Sequence, residues 1–198
     1  VAAFVGLLAR WRPPTWGGVL AAGCLAGLVL STRSAVAIPL AAAFAHVFLR
    51  DGRWGAFVAA GVTGAAVFAL TLLPLYLWSP EGFARYNPLL VQSSFSSVPL
   101  AASALALAIG LGWRSRSPLG LLAAAGGPLF LTVAAVLVRE VLRYGWATVL
   151  WESAFDLSYF LLAVPFVLPV AVGWIPAPRA AARPAPPWLP AHRAARDG

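Results

Sequence analysis

The sequence has no lysine, no methionine, one cysteine, two histidines and only six carboxylates among 198 residues. Charged residues make up 10% of the chain, against roughly 25% in a soluble domain. That shortage excludes a compact soluble globule, because too little polar surface exists to cover one. With Cys24 alone, neither an intrachain disulfide nor a cysteine metal cluster can form. Cys24 lies in an apolar run and reads as a small buried hydrophobe. His46 sits in an apolar segment, where it reads as packed or interfacial, and His192 lies in the tail; no metal-ligand spacing links them. No phosphate-binding loop, dinucleotide fingerprint or HExxH pattern is present, so the expected cofactor set is none. All 14 cations are arginine. Together with abundant Ala, Gly and Pro, this points to a GC-rich bacterial genome and carries no functional signal.

What is present is long apolar blocks. Apolar residues form 61% of the chain, and the mean hydropathy is +0.84. The blocks are apolar on every face, as in helices surrounded by lipid. After an apolar stub over residues 1–9, six segments stand out: Trp16–Thr32, Ala35–Leu49, Trp54–Trp78, Val98–Trp113, Leu119–Val138 and Leu157–Trp174. A spanning helix needs about 20 apolar residues. The predicted fold is an all-α, polytopic transmembrane helix bundle of about six segments. Trp11, Trp16, Trp54, Trp78, Trp113 and Trp174 fall at segment ends, where indole rings suit the headgroup level.

Arginine placement sets the orientation. With Arg10 and Arg12 cytoplasmic, alternation puts Arg50, Arg53, Arg114, Arg116 and the four tail arginines on the same side. Arg33, Arg85, Arg139 and Arg143 fall on the other side with Glu81, Glu140, Glu152 and Asp156. This is the positive-inside pattern. It places the chain in the bacterial inner (cytoplasmic) membrane and explains the net charge of +8 without nucleic acid. The first two segments are short, since 15 residues reach only about 22 Å. They either cross twice or form a re-entrant hairpin, and both arrangements keep later parity.

Two outer loops carry polar residues, Ser79–Ser97 and Arg139–Asp156. The second reads as a short interfacial helix with Glu140 three residues before Arg143 and an apolar stripe of Trp146, Leu150 and Trp151. Gly23 and Gly27 form a GxxxG pair, and Ala56, Ala60 and Gly64 a small-residue face; such faces let helices approach closely. From about Ile175 the tail holds six prolines and four arginines and cannot bury a core. The expected arrangement is a disordered cytoplasmic tail over 176–198, held near anionic headgroups.

Arg33, flanked by apolar helices, is the most suggestive charge. An intramembrane guanidinium is costly and suits bidentate phosphate binding. Its simplest alternative is a snorkelling boundary residue. Arg85, Arg139 and Arg143 would meet a lipid phosphate, Tyr86, Asn87 and Gln92 would read polar groups, and Glu81, Glu152 and Asp156 would serve as a base or bind hydroxyls. Each also fits an ordinary solvated loop position. Charges mixed with aromatics on one face suit an amphiphilic ligand such as a lipid-borne sugar.

The stretch GLVLSTRSAVAIPLAAAF, with Gly27, Ser31, Thr32, Arg33 and Pro39, resembles a pattern of the GT-C superfamily of polytopic membrane glycosyltransferases. LLPLYLWSPEGF, with Pro74, Trp78, Pro80 and Phe83, is similar to a helix end of the same enzymes. The resemblance spans residues 17–97. It implies use of a polyprenyl-phosphate sugar donor at the outer face. The family's catalytic carboxylate lies in a first outer loop near the N-terminus, which nothing here matches, and no DD, DE or ED pair occurs. The resemblance therefore implies the C-terminal portion of such an enzyme, with Val1 inside a longer protein; a GTG start at Val1 is the other reading. A transporter or permease subunit and a non-catalytic scaffold are the competing functions. The scarcity of mid-helix charge speaks against ion coupling.

Overall fold

A computed structural model of the chain describes residues 4, 5, 7, 13, 15–86, 97–151 and 158–173. Among these the fold is all-α, with seven α-helices and no strand. Helix α1 (Trp16–Leu30) opens where the Thr15 hydroxyl accepts the Gly18 N–H at 3.2 Å. It ends where Ser31 and Thr32 fold their hydroxyls back, donating to the Leu28 and Val29 carbonyls at 2.6 and 2.7 Å. Carbonyls in the last turn lack regular helical partners; the Val29 carbonyl also accepts the Thr32 N–H at 3.2 Å, and with the two hydroxyls this closes the helix end.

A short 3-10 turn (Ser34–Val36) leads into α2 (Ala37–Phe44). Pro39 sits in the first turn, where no helical N–H is required. Residues Ala45–Leu49 then widen into a π-turn. The single helix expected over Ala35–Leu49 therefore has three windings. Gly52, at φ 71°, reverses the chain into α3 (Trp54–Trp78). Next come α4 (Pro80–Tyr86), α5 (Val98–Arg114), α6 (Pro118–Trp151) and α7 (Ser158–Gly173). The separate interfacial helix expected after Val138 is not what forms. Helix α6 runs straight on through Arg139, Glu140 and Arg143, and breaks only at Gly145, at φ 80° and ψ 161°. The arginines and glutamate are good helix formers, so polarity alone did not end the helix.

The helices alternate in direction. Gly23 and Gly27 of α1 meet Ala60 and Gly64 of α3 in the same order, so these two run parallel. Ala42 and His46 meet Gly112 and Ser115 in the same order, so α2 and α5 run parallel. Gly126 meets Phe166 and Leu119 meets Gly173, so α6 and α7 are antiparallel. One end of the bundle thus gathers the start of α1, the end of the π-turn, the starts of α3 and α6, and the ends of α5 and α7.

The closest helix contacts are built on small side chains, beside larger buried ones such as Phe48, Leu129 and Phe166. Ala22, Ala26, Ala42, Ala43, Ala60, Ala108 and Ala125 are buried, while Leu70, Leu77, Leu142 and Leu161 are more than 60% exposed. The two small-residue stripes found in the sequence are the two sides of the α1–α3 contact. A Cβ added to Gly27 would lie 2.5 Å from the Gly64 carbonyl oxygen and 2.6 Å from the Val67 Cβ. Gly112 likewise presses on the Ala42 backbone.

The α1–α3 pairing keeps one register, so the turn after α1 stands opposite about Leu70. At 1.5 Å per residue this is about 24 Å from Trp54 and about 12 Å short of Trp78. The α1–α2 pair is therefore a hairpin shorter than α3. Among the described residues two helices, Trp54–Trp78 and Pro118–Val149, are long and apolar enough to cross a membrane; the other apolar helices of the bundle are 10–17 residues long. The stripe residues Trp146, Leu150 and Trp151 follow the Gly145 break, and Trp146 is exposed.

Candidate functional site

The nine residues marked from the sequence fall on three described elements and in segments outside them. Asn87, Gln92, Glu152 and Asp156 lie outside the described residues, as does the tail over 176–198. Arg33 occupies the hairpin tip between α1 and the 3-10 turn, on extended backbone at φ −158°. It is half-buried, and its Nη1 is withdrawn from the surface.

Glu81 and Arg85 are exposed on α4. That helix is held back against the end of α3 by an edge-to-face contact of Phe83 with Tyr76, centroids 5.7 Å apart. Ser79 starts it, its hydroxyl accepting the Gly82 N–H at 3.1 Å. Arg139 grips Glu140, donating from Nε at 2.9 Å and from Nη2 at 2.6 Å to the same carboxylate oxygen. Glu140 is buried and therefore needs that partner. The expected three-residue neighbour of Glu140, Arg143, instead lies over the Tyr144 ring at 5.2 Å.

The opposite end of the bundle holds a denser polar arrangement. His46 and Ser115, both buried, meet at 2.7 Å through Nδ1 and the hydroxyl oxygen. The Ser115 hydroxyl donates its one proton to the Gly112 carbonyl at 2.8 Å. Nδ1 of His46 therefore carries the hydrogen that Ser115 accepts. The contact ties the π-turn to the end of α5, at the level where Gly112 meets Ala42.

Outside this pair the surface opens into a cavity of about 730 Å³ lined by Arg50, Trp113, Arg114 and Arg116. Trp113 is braced edge-on by Trp54, centroids 5.9 Å apart. Arg53 is occupied nearby, donating to the Pro13 carbonyl at 2.7 Å and lying over Phe48 at 5.6 Å. From the sequence these arginines read only as orientation marks and His46 as a packed or interfacial residue. Segment parity already placed positions 50 and 114–116 at one end, and that was the available signal. Among the described residues no group of three His, Cys, Asp or Glu side chains is placed to hold a metal ion. The chain matches no protein-family model, no curated protein and no solved structure.

Proposed function

We propose that the chain is a multi-pass membrane bundle that holds a lipid-phosphate sugar donor for a glycosyltransferase, at the face opposite its basic end. The membrane part of this reading rests on one observation: alanines and glycines make the closest helix contacts while many leucines, Leu70, Leu77, Leu142 and Leu161 among them, face outward. In water the leucines would be driven inside. In lipid no such drive separates helices, and close small-residue contacts hold them together instead. The alternating helix directions agree with six membrane segments and with Arg50, Arg53, Arg114 and Arg116 facing the cytoplasm. The α1–α2 hairpin then turns below the far surface.

The donor part rests on the tip of that hairpin. Ser31 and Thr32 close the helix end with their own hydroxyls, and Arg33 beside them places a guanidinium at the hairpin tip. The resemblance of residues 27–44 and 72–83 to the GT-C glycosyltransferases points the same way. In this reading the chain supplies the donor contact, and the acidic base the family uses comes from elsewhere in the enzyme.

The test is photolabelling in native membranes containing the full chain, with a photoreactive polyprenyl-phosphate hexose as probe. Arg33→Ala is expected to lower labelling about tenfold, the cost of one strong charge-assisted contact, with Arg33→Lys intermediate. Labelling of the alanine variant equal to wild type removes Arg33 from the site. Uptake of the sugar into vesicles in place of labelling assigns the chain to transport.

A further inference from the structure

We propose that the cavity between Arg50, Trp113, Arg114 and Arg116 is a second site, which binds a phosphate-rich anion of at least two negative charges. Three arginines and one tryptophan line one hollow of about 730 Å³. Among the described residues none of the three is held in an ion pair. Like charges lining one hollow repel one another, and a cleft lined by one sign of charge concentrates its field and draws in counter-ions. Guanidinium groups match phosphate oxygens through paired, nearly parallel N–H bonds.

The hollow is built, not a chance meeting of loose side chains. Arg50 leaves the π-turn directly after Leu49, which is buried. Arg114 and Arg116 flank Ser115, which is buried and bonded to His46 on that same turn. The His46–Ser115 bond thus fixes the spacing between the two arginine-bearing segments. Trp113, braced by Trp54, makes a flat apolar wall beside the charges. An occupant with phosphates at one end and apolar surface at the other fits this combination. A lipid headgroup bearing two phosphates and a soluble diphosphate share the recognising chemistry. The site lies at the opposite end of the bundle from Arg33, so it stands or falls separately from the donor reading.

The test uses the full chain purified in detergent with two probes, cardiolipin followed by native mass spectrometry and inorganic pyrophosphate followed by calorimetry. The variants are Arg50→Gln, Arg114→Gln and Arg116→Gln, singly and together. All three side chains are exposed, so the bundle is expected to remain folded, and the helical circular-dichroism signal checks this. A charge-matched control replaces three tail residues, Arg179→Gln, Arg183→Gln and Arg193→Gln.

Retention of cardiolipin by wild type and by the tail control, lost at least tenfold in the triple cavity variant, establishes a lipid site. Pyrophosphate binding lost in the same variant, with lipid retention unchanged, establishes a soluble ligand. The proposal is overturned if the tail control loses as much as the cavity variant, or if neither probe distinguishes wild type from the cavity variant.

Discussion

Replacing Gly27 and Gly61 by alanine, one at a time, separates close packing from helix propensity. Both glycines lie within helices, α1 and α3. Alanine gains about 0.8–1.0 kcal/mol over glycine from propensity at either position. At Gly61 nothing lies within 4 Å of an added Cβ, so that gain stands alone. At Gly27 the methyl group meets the Gly64 carbonyl oxygen at 2.5 Å, the Val67 Cβ at 2.6 Å and its Cγ1 at 2.9 Å. Backbone and a branched Cβ cannot swing aside, so the helices must separate. Overpacking of this kind costs about 1–3 kcal/mol, with the upper part of the range expected at a backbone contact. The net loss is about 1–2 kcal/mol for Gly27→Ala. At about 2–4 °C per kcal/mol for a chain of this length, Gly27→Ala melts several degrees lower than wild type and Gly61→Ala a few degrees higher. Thermal unfolding of the full chain in one detergent, followed by far-ultraviolet circular dichroism, reads both. A Gly27→Ala protein as stable as wild type refutes the α1–α3 contact, and a matched fall in Gly61→Ala shows that propensity and packing were wrongly divided.

Two further outcomes are expected. Ser115→Ala strips the buried His46 Nδ1 of its acceptor and costs about 1–3 kcal/mol, while His46→Leu combined with Ser115→Ala regains part of that loss; a double-mutant cycle in the same melting assay measures the coupling, and additive effects refute it. Cys24, exposed on the bundle surface, faces lipid if the bundle is embedded. A membrane-impermeant maleimide then leaves it unlabelled in sealed vesicles, whereas cysteines placed at Ser79 and Ser117 in a Cys24→Ala background react from opposite sides. Rapid labelling of Cys24 in intact vesicles counts against embedding.

The helix α3 was legible from end to end, Trp54 to Trp78, because tryptophans and a polar turn bracket an unbroken apolar run. The α1–α3 contact was legible as two small-residue stripes, although nothing in either stripe names its partner. The windings of Ala35–Leu49 were not legible, since a segment apolar on every face carries no phase to reveal a widened turn. The length of α6 was missed for a related reason. By polarity Arg139, Glu140 and Arg143 looked like the start of a separate interfacial helix, yet they continue the same helix, and only Gly145 adopts a backbone that breaks it. One glycine among 18 does not announce a positive φ. Of the candidate site, Arg33 was recognisable by its isolation in apolar sequence. The arginine hollow at the other end was not, because it forms only when segments more than sixty residues apart are brought together.

The π-turn also acts as a phase adjuster. Each residue of a regular helix advances about 100° around the axis, and a π-turn takes up one residue more than a regular turn holds. The face that α2 presents to α5 and the direction in which Arg50 leaves the turn are thereby set apart. Removing one residue from Ala45–Leu49 would restore even winding and leave Arg50 at nearly its present angle, whereas winding the same five residues as a regular helix would swing Arg50 about a quarter of the way around the axis from Arg114 and Arg116. The widened turn thus keeps the charged hollow assembled around a chain one residue longer than a regular helix would hold there.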